Sequence, residues 1–159
     1  MTNSSLVLAL ALGIGVVAGL RSFTAPAVVS WIAHLRGFNL QGSYLGFMGS
    51  TAAVAVFTLL ALFELVVDKL PKTPSRTTAV PLVARILMGG LAGATLCAAG
   101  GGSAAIGALL GVVGALVGTF GGYQARTRTV KALGVPDFVV ALLEDAVAVF
   151  GGIFLATRP

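Results

Sequence analysis

Apolar runs of about twenty residues recur along the whole chain, parted by short polar stretches, and this leaves few folds open. A membrane-spanning helix needs roughly 17 to 25 such residues. The 159 residues therefore hold four to six spans in one domain, with no room for a soluble second one. Charged residues make up 9% of the chain, against about 25% in soluble domains, and hydrophobic residues make up 57%. Intrinsic disorder needs the opposite composition and is excluded. The 22 glycines follow no three-residue period, which excludes collagen. A formal charge of +5 would suggest nucleic acid in a soluble protein. In a lipid-embedded chain it reports which side the loops face. The lipid bilayer is the expected partner, and nucleic acid is not.

Residues 6–33, read as one helix, would extend about 42 Å, which is long for the hydrocarbon core. Pro26 removes a helix hydrogen bond and clashes with the preceding turn. The pattern predicts a break between Arg21 and Pro26 and a short second helix over 27–33, followed by a polar loop over 34–44. Further spans are expected over 47–67, 78–99, 104–122 and 137–156. Loops are expected over 68–76, which contains two prolines, and over the basic stretch 123–135. Between them Gly100, Gly101, Gly102 and Ser103 make a tight turn. This is an all-α polytopic bundle of about five transmembrane helices. Lys69, Lys72, Arg76, Arg126, Arg128 and Lys131 then fall on the side of the N-terminus, with Arg36 and Arg158 opposite. The positive-inside rule puts the N-terminus in the cytoplasm and the C-terminus outside. The first five residues carry no Lys or Arg, so a retained first span is expected rather than a cleaved signal peptide. A loose similarity relates residues 6–76 to 104–157.

Small residues four apart lie on one helix face and let another backbone approach closely. Gly15 and Gly19 form such a pair, as do Gly89 and Gly93. Gly107 and Gly111 form a third, and Gly114, Gly118 and Gly122 continue the spacing. The expectation is glycine-zipper packing within the chain, and for the fourth span also against a second copy in a homo-oligomer.

Ionisable residues within the spans carry the functional expectation, because each costs about 2.5 to 3.5 kcal/mol to insert and so faces a partner or water. They are Arg21, Glu64, Asp68, Arg85, Glu144 and Asp145. On the five-span path Arg85 lies about 10 Å inside the membrane, at the depth of Glu64, Glu144 and Asp145. These four and Asp68 make an inner polar site, in which one acid lacks a full positive partner unless Lys69 or Arg76 folds back. Arg21 sits apart, in the outer half, at the helix break with Ser22 and Thr24. Broken helices with free ends form binding sites in transporters.

No metal or cofactor is expected. The single histidine, His34, has no second ligand motif near it, and the single cysteine, Cys97, lies in an apolar run. No nucleophile elbow or phosphate-binding loop is present either.

Two stretches resemble a known family. They are GLRSFTAP, from Gly19 to Pro26, and ELVVDKLPKTPSR, from Glu64 to Arg76. The chain is similar over nearly its whole length to a family of small bacterial integral membrane proteins that is catalogued only as a domain of unknown function. The resemblance implies a bacterial inner-membrane location and no activity. The residues themselves lead to a small channel or transporter for a solute or ion, and not to an enzyme. A non-transporting scaffold subunit and a lipid-modifying enzyme with a lateral cleft beside Glu64 and Asp68 are the alternatives.

Overall fold

The computed structural model describes residues 4–40, 43–68 and 77–159. The expected loop over 68–76, with Lys69, Lys72 and Arg76, therefore lies outside the described residues beyond Asp68. Six α-helices and one short 3₁₀ helix account for nearly all of the remainder, and there are no strands among the described residues. They are α1 (Ser4–Leu20), α2 (Thr24–Arg36), the 3₁₀ helix Tyr44–Gly49, α3 (Thr51–Val67), α4 (Ala79–Ala99), α5 (Ala104–Leu133) and α6 (Asp137–Ala156). Three of them, α4, α5 and α6, are long and apolar enough to cross a membrane, and α1 and α3 are apolar helices of 17 residues.

The helix break falls where the sequence indicates, with α1 ending at Leu20 and α2 starting at Thr24. Pro26 is the third residue of α2, where its missing N–H costs little. Beyond the break, however, the chain does not continue as the rest of a kinked span. Gly152 of α6 packs against both Val17 of α1 and Val28 of α2, and Gly13 of α1 meets Leu155. At the far end of α2, Arg36 Nη1 donates to the Thr157 carbonyl at 2.8 Å. The chain thus descends along α1, turns at Arg21–Phe23 and climbs back along α2, with α6 seated between the two arms. The path then reverses at each connection. Trp31 Nε1 of α2 donates to Thr58 Oγ1 of α3 at 3.0 Å, midway along an antiparallel pair. Gly100, at the end of α4, meets Val7 near the start of α1. The two ends of the described chain therefore lie at one end of the bundle, and the five-span expectation of opposite ends is corrected. Its cause is the turn at Arg21–Phe23, which adds a reversal. Both α1 with α5 and α2 with α6 run parallel.

A second correction concerns α5. The stretch 123–135, expected as a loop, is helical to Leu133, giving a helix of 30 residues, about 45 Å long. Gln124, Ala125, Arg126, Arg128, Lys131, Ala132 and Leu133 contain no breaker, and several are strong helix formers. Termination waits for Gly134, at φ +62°, with Pro136 two residues on. Smaller differences lie at the ends of other elements. The α2 helix extends to Arg36, and residues 47–49, expected in the second span, belong to the 3₁₀ helix. Ser50 then caps α3, its hydroxyl accepting from the Ala53 N–H.

At the centre, α1, α4 and α5 meet through their glycines. A methyl group on Gly15 would overlap the Gly111 carbonyl, and one on Gly111 would overlap the Gly89 carbonyl. Gly93 and Gly107 face each other in the same way, and Gly114 and Gly118 lie against the α1 backbone at Leu12 and Val16. Gly19 meets Ala115, while Gly122 is half-buried. Lipid supplies no hydrophobic drive between helices, so close packing of backbones is what holds them. That face of α5, at Gly107, Gly111, Gly114 and Gly118, is filled within one chain. Cys97 is buried in the same core, against Gly107 and Gly102.

Candidate functional site

The tip of the α1–α2 hairpin lies inside the bundle. Arg85 is six residues, or about 9 Å, from the first residue of α4, and Asp145 is eight residues, or about 12 Å, from that of α6. Both reach the tip at Arg21–Phe23. Arg21, expected in an outer site of its own, thus stands among the acids. The side chain of Arg21 is 1% exposed and makes ion pairs with Asp68 at the end of α3 and with Asp145 of α6. Its Nε makes no hydrogen bond among the described residues. The correction follows from the turn, since a hairpin tip and the C-terminal end of α3 fall at the same depth.

Breaking a helix frees carbonyls at one end and N–H groups at the other. Each set here is met by a charge that suits the helix dipole. The Gly19 carbonyl, near the end of α1, accepts from Arg85 Nε at 3.1 Å and from Thr119 Oγ1 of α5 at 3.3 Å. The Ser22 and Phe23 N–H groups, which lead into α2, donate to Glu64 Oε1 at 2.7 Å and Oε2 at 2.9 Å. Glu64 is 8% exposed, and Arg85 Nη2 lies 3.9 Å from its Oε1. Arg85 Nη1 donates to the Pro81 carbonyl at 3.1 Å. Cation and anion thus sit on the two sides of the break and also face each other.

A second group adjoins the first on the extended part of α5. Arg126 is bidentate to Asp137, with Nε at 2.8 Å from Oδ1, and its Nη1 lies 3.5 Å from Glu144 Oε2. All five acidic residues of the chain thus converge on Arg21, Arg85 and Arg126. Glu144 and Asp145 are adjacent, point in different directions and serve different arginines.

Beneath the tip, between the end of α3 and the start of α4, a cleft of about 550 Å³ opens to the outside. Ser22, Glu64, Asp68, Thr78 and Arg85 form its polar part. Phe23, Phe63, Val67 and Val80 form apolar walls, with Phe63 and Val80 mostly exposed. Its size is that of a small-molecule site.

Of the residues that the sequence marks, Arg21, Ser22, Glu64, Asp68, Arg85 and Asp145 come together at the tip. Glu144 stands one step away with Arg126. Thr24 is buried in the first turn of α2. Sequence reasoning missed Thr119, Arg126 and Asp137. Arg126 and Asp137 were hidden by reading 123–135 as a loop; a helix continued to Gly134 brings them beside the start of α6. Thr119 carries no such signal. His34, set aside as a metal ligand, lies 2.9 Å from the Gly49 carbonyl through Nδ1. No group of three metal-ligating side chains occurs among the described residues.

The fold and site define a helical membrane protein with a charged, internally paired hairpin tip. The chain belongs to the family described as Domain of unknown function (DUF4126), which matches residues 8–159. No curated protein and no solved structure matches the chain.

Proposed function

We propose that this protein carries a small solute or ion across a membrane, and that the hairpin tip is its binding site. The observation that supports the reading is the cleft, which leads from outside the bundle to Glu64 and Arg85 at a helix break. Intramembrane ionisable groups mark solute and proton pathways, and helix ends lining a cavity supply backbone donors and acceptors there. In this reading the paired state is the closed one, and a solute competes for the groups that now satisfy each other.

Sidedness comes from the same path. Arg126, Arg128 and Lys131 lie towards the tip end of the bundle, and the sequence between α3 and α4 adds Lys69, Lys72 and Arg76. Arg36 and Arg158 lie at the opposite end. The positive-inside rule then turns the tip towards the cytoplasm and puts both ends of the described chain outside. The α1–α2 hairpin counts as two crossings in this scheme, six in all, and the cleft opens on the cytoplasmic side. A bacterial inner membrane is the location we propose.

Purified protein in proteoliposomes, assayed for flux over a panel of ions and small solutes, tests the reading. The Glu64→Gln and Arg21→Gln variants lose the flux that the wild type shows, while Gly121→Ala, whose added methyl group meets nothing within 4 Å, keeps it. Unchanged flux in both tip variants refutes the proposal. The second reading, a non-transporting scaffold, is favoured by the pairing of all five acids, which clamps the hairpin. It predicts no flux in the wild type.

A further inference from the structure

We propose that the start of α2 is a carboxylate-binding site, which Glu64 fills in the closed protein and which an apolar carboxylate takes over from the cleft. This rests on the transport reading above and names its substrate class.

The geometry is that of a bound carboxylate rather than of a simple ion pair. Each oxygen of Glu64 accepts from a different backbone N–H, one from Ser22 and one from Phe23, and the Arg85 guanidinium stands beside them. Successive backbone N–H groups at a helix start, with a cation near, form a standard carboxylate cradle. The occupant comes from α3, some forty residues further along the chain, and both donors belong to the backbone leading into α2. A carboxylate from another molecule fits the same two donors.

Two further observations point to an outside ligand. Ser22 is 3% exposed and lines the cleft, and its hydroxyl makes no hydrogen bond with any described residue. A hydroxyl that opens on a cavity can donate to a ligand bound there. The cleft also ends on the residues of the cradle, carries Asp68 and Thr78 beside them, and is otherwise apolar, with Phe23, Phe63, Val67 and Val80 among its walls. A ligand with a carboxylate at one end and an apolar body at the other matches both parts.

The hydrogen-bond donors of the cradle, rather than the summed charge around it, favour this class over a cation. The groups at the cradle are donors: two N–H groups, a hydroxyl and a guanidinium. The acceptors near it are spent, because the Gly19 and Pro81 carbonyls take Arg85 and the Asp68 carboxylate takes Arg21. An ammonium group would have to break these contacts, whereas a carboxylate only replaces one carboxylate by another.

Equilibrium binding of benzoate, benzamide and benzylammonium to the detergent-purified full chain tests the inference. The three probes share a ring and differ in the charge of the polar end. Glu64→Ala empties the cradle and binds benzoate saturably, at least tenfold tighter than the wild type, whose own carboxylate competes. Benzamide and benzylammonium do not bind saturably, and adding Arg85→Gln weakens benzoate at least tenfold. Glu64→Gln offers the cradle a neutral occupant, so it too binds benzoate more tightly than the wild type, and it serves where the alanine variant does not fold. If both aggregate, saturable binding of benzoate but not benzamide to the wild type supports the site. Absence of saturable benzoate binding in every folded form, or equal binding of benzamide, overturns it. Benzoate binding without any flux removes the transport reading and leaves the site. Flux of another solute without benzoate binding removes the site and leaves transport.

Discussion

Replacing Arg21 by methionine removes the one guanidinium that both Asp68 and Asp145 face. The structure sets the size of the effect. Arg21 is 1% exposed, and the side chains of its two acids are 22% and 12% exposed, so both pairs are largely desolvated. Breaking a buried pair by removing one partner costs about 3 to 5 kcal/mol, because the remaining charge stays buried. Asp145 keeps a further interaction and Asp68 is partly wet, so the lower end, about 3 kcal/mol, applies. The triple change Arg21→Met, Asp68→Asn, Asp145→Asn removes the uncompensated charge together with the pair and regains most of that loss. Reversible unfolding in mixed detergent micelles measures both. A loss below about 1 kcal/mol in the single variant would place Arg21 in a wet, surface-like setting. A triple variant no more stable than the single one would show that the loss comes from packing and not from charge.

The same geometry sets three other outcomes. Gly111→Ala drives a methyl group into the Gly89 carbonyl and separates α4 from α5, so it lowers stability by at least about 2 kcal/mol in the same unfolding assay. Gly121→Ala meets nothing within 4 Å and adds helix propensity, so it is neutral or stabilises by up to about 1 kcal/mol. Arg126→Ala breaks a wet pair with Asp137, 62% exposed, and leaves the mostly buried Glu144 carboxylate, 10% exposed, without this partner, so it costs about 1 to 3 kcal/mol, and only the Asp137 part shrinks in high salt.

Helices were the legible part of this chain, because each is an apolar run bounded by glycine, proline or charge. The break before Pro26 was legible for the same reason, and so was the list of intramembrane charges. The direction taken after the break was not. A run of 13 residues reads equally as the rest of a kinked span or as a separate return arm. The choice is made by contacts that span forty residues and more, from Glu64 to Ser22 and Phe23 and from Asp145 to Arg21. Misplacing that one arm set Arg21 apart from the acids it pairs with and put the two ends of the described chain at opposite ends of the bundle. Thr119 stayed hidden because a threonine in an apolar helix bonds its own backbone by default, as it does here to the Ala115 carbonyl at 2.7 Å. Its second contact, to Gly19, exists only because α1 and α5 approach through their glycines.

The hairpin is the centre of this account, and its path is open to one direct measurement. Single cysteines at Ser5, Arg128 and Arg158, in a Cys97→Ala background, are labelled with a membrane-impermeant maleimide in oriented vesicles. The hairpin predicts that positions 5 and 158 react from one side and position 128 from the other. Labelling of position 5 from the side of position 128, with 158 opposite, would restore a single kinked first span and contradict the account.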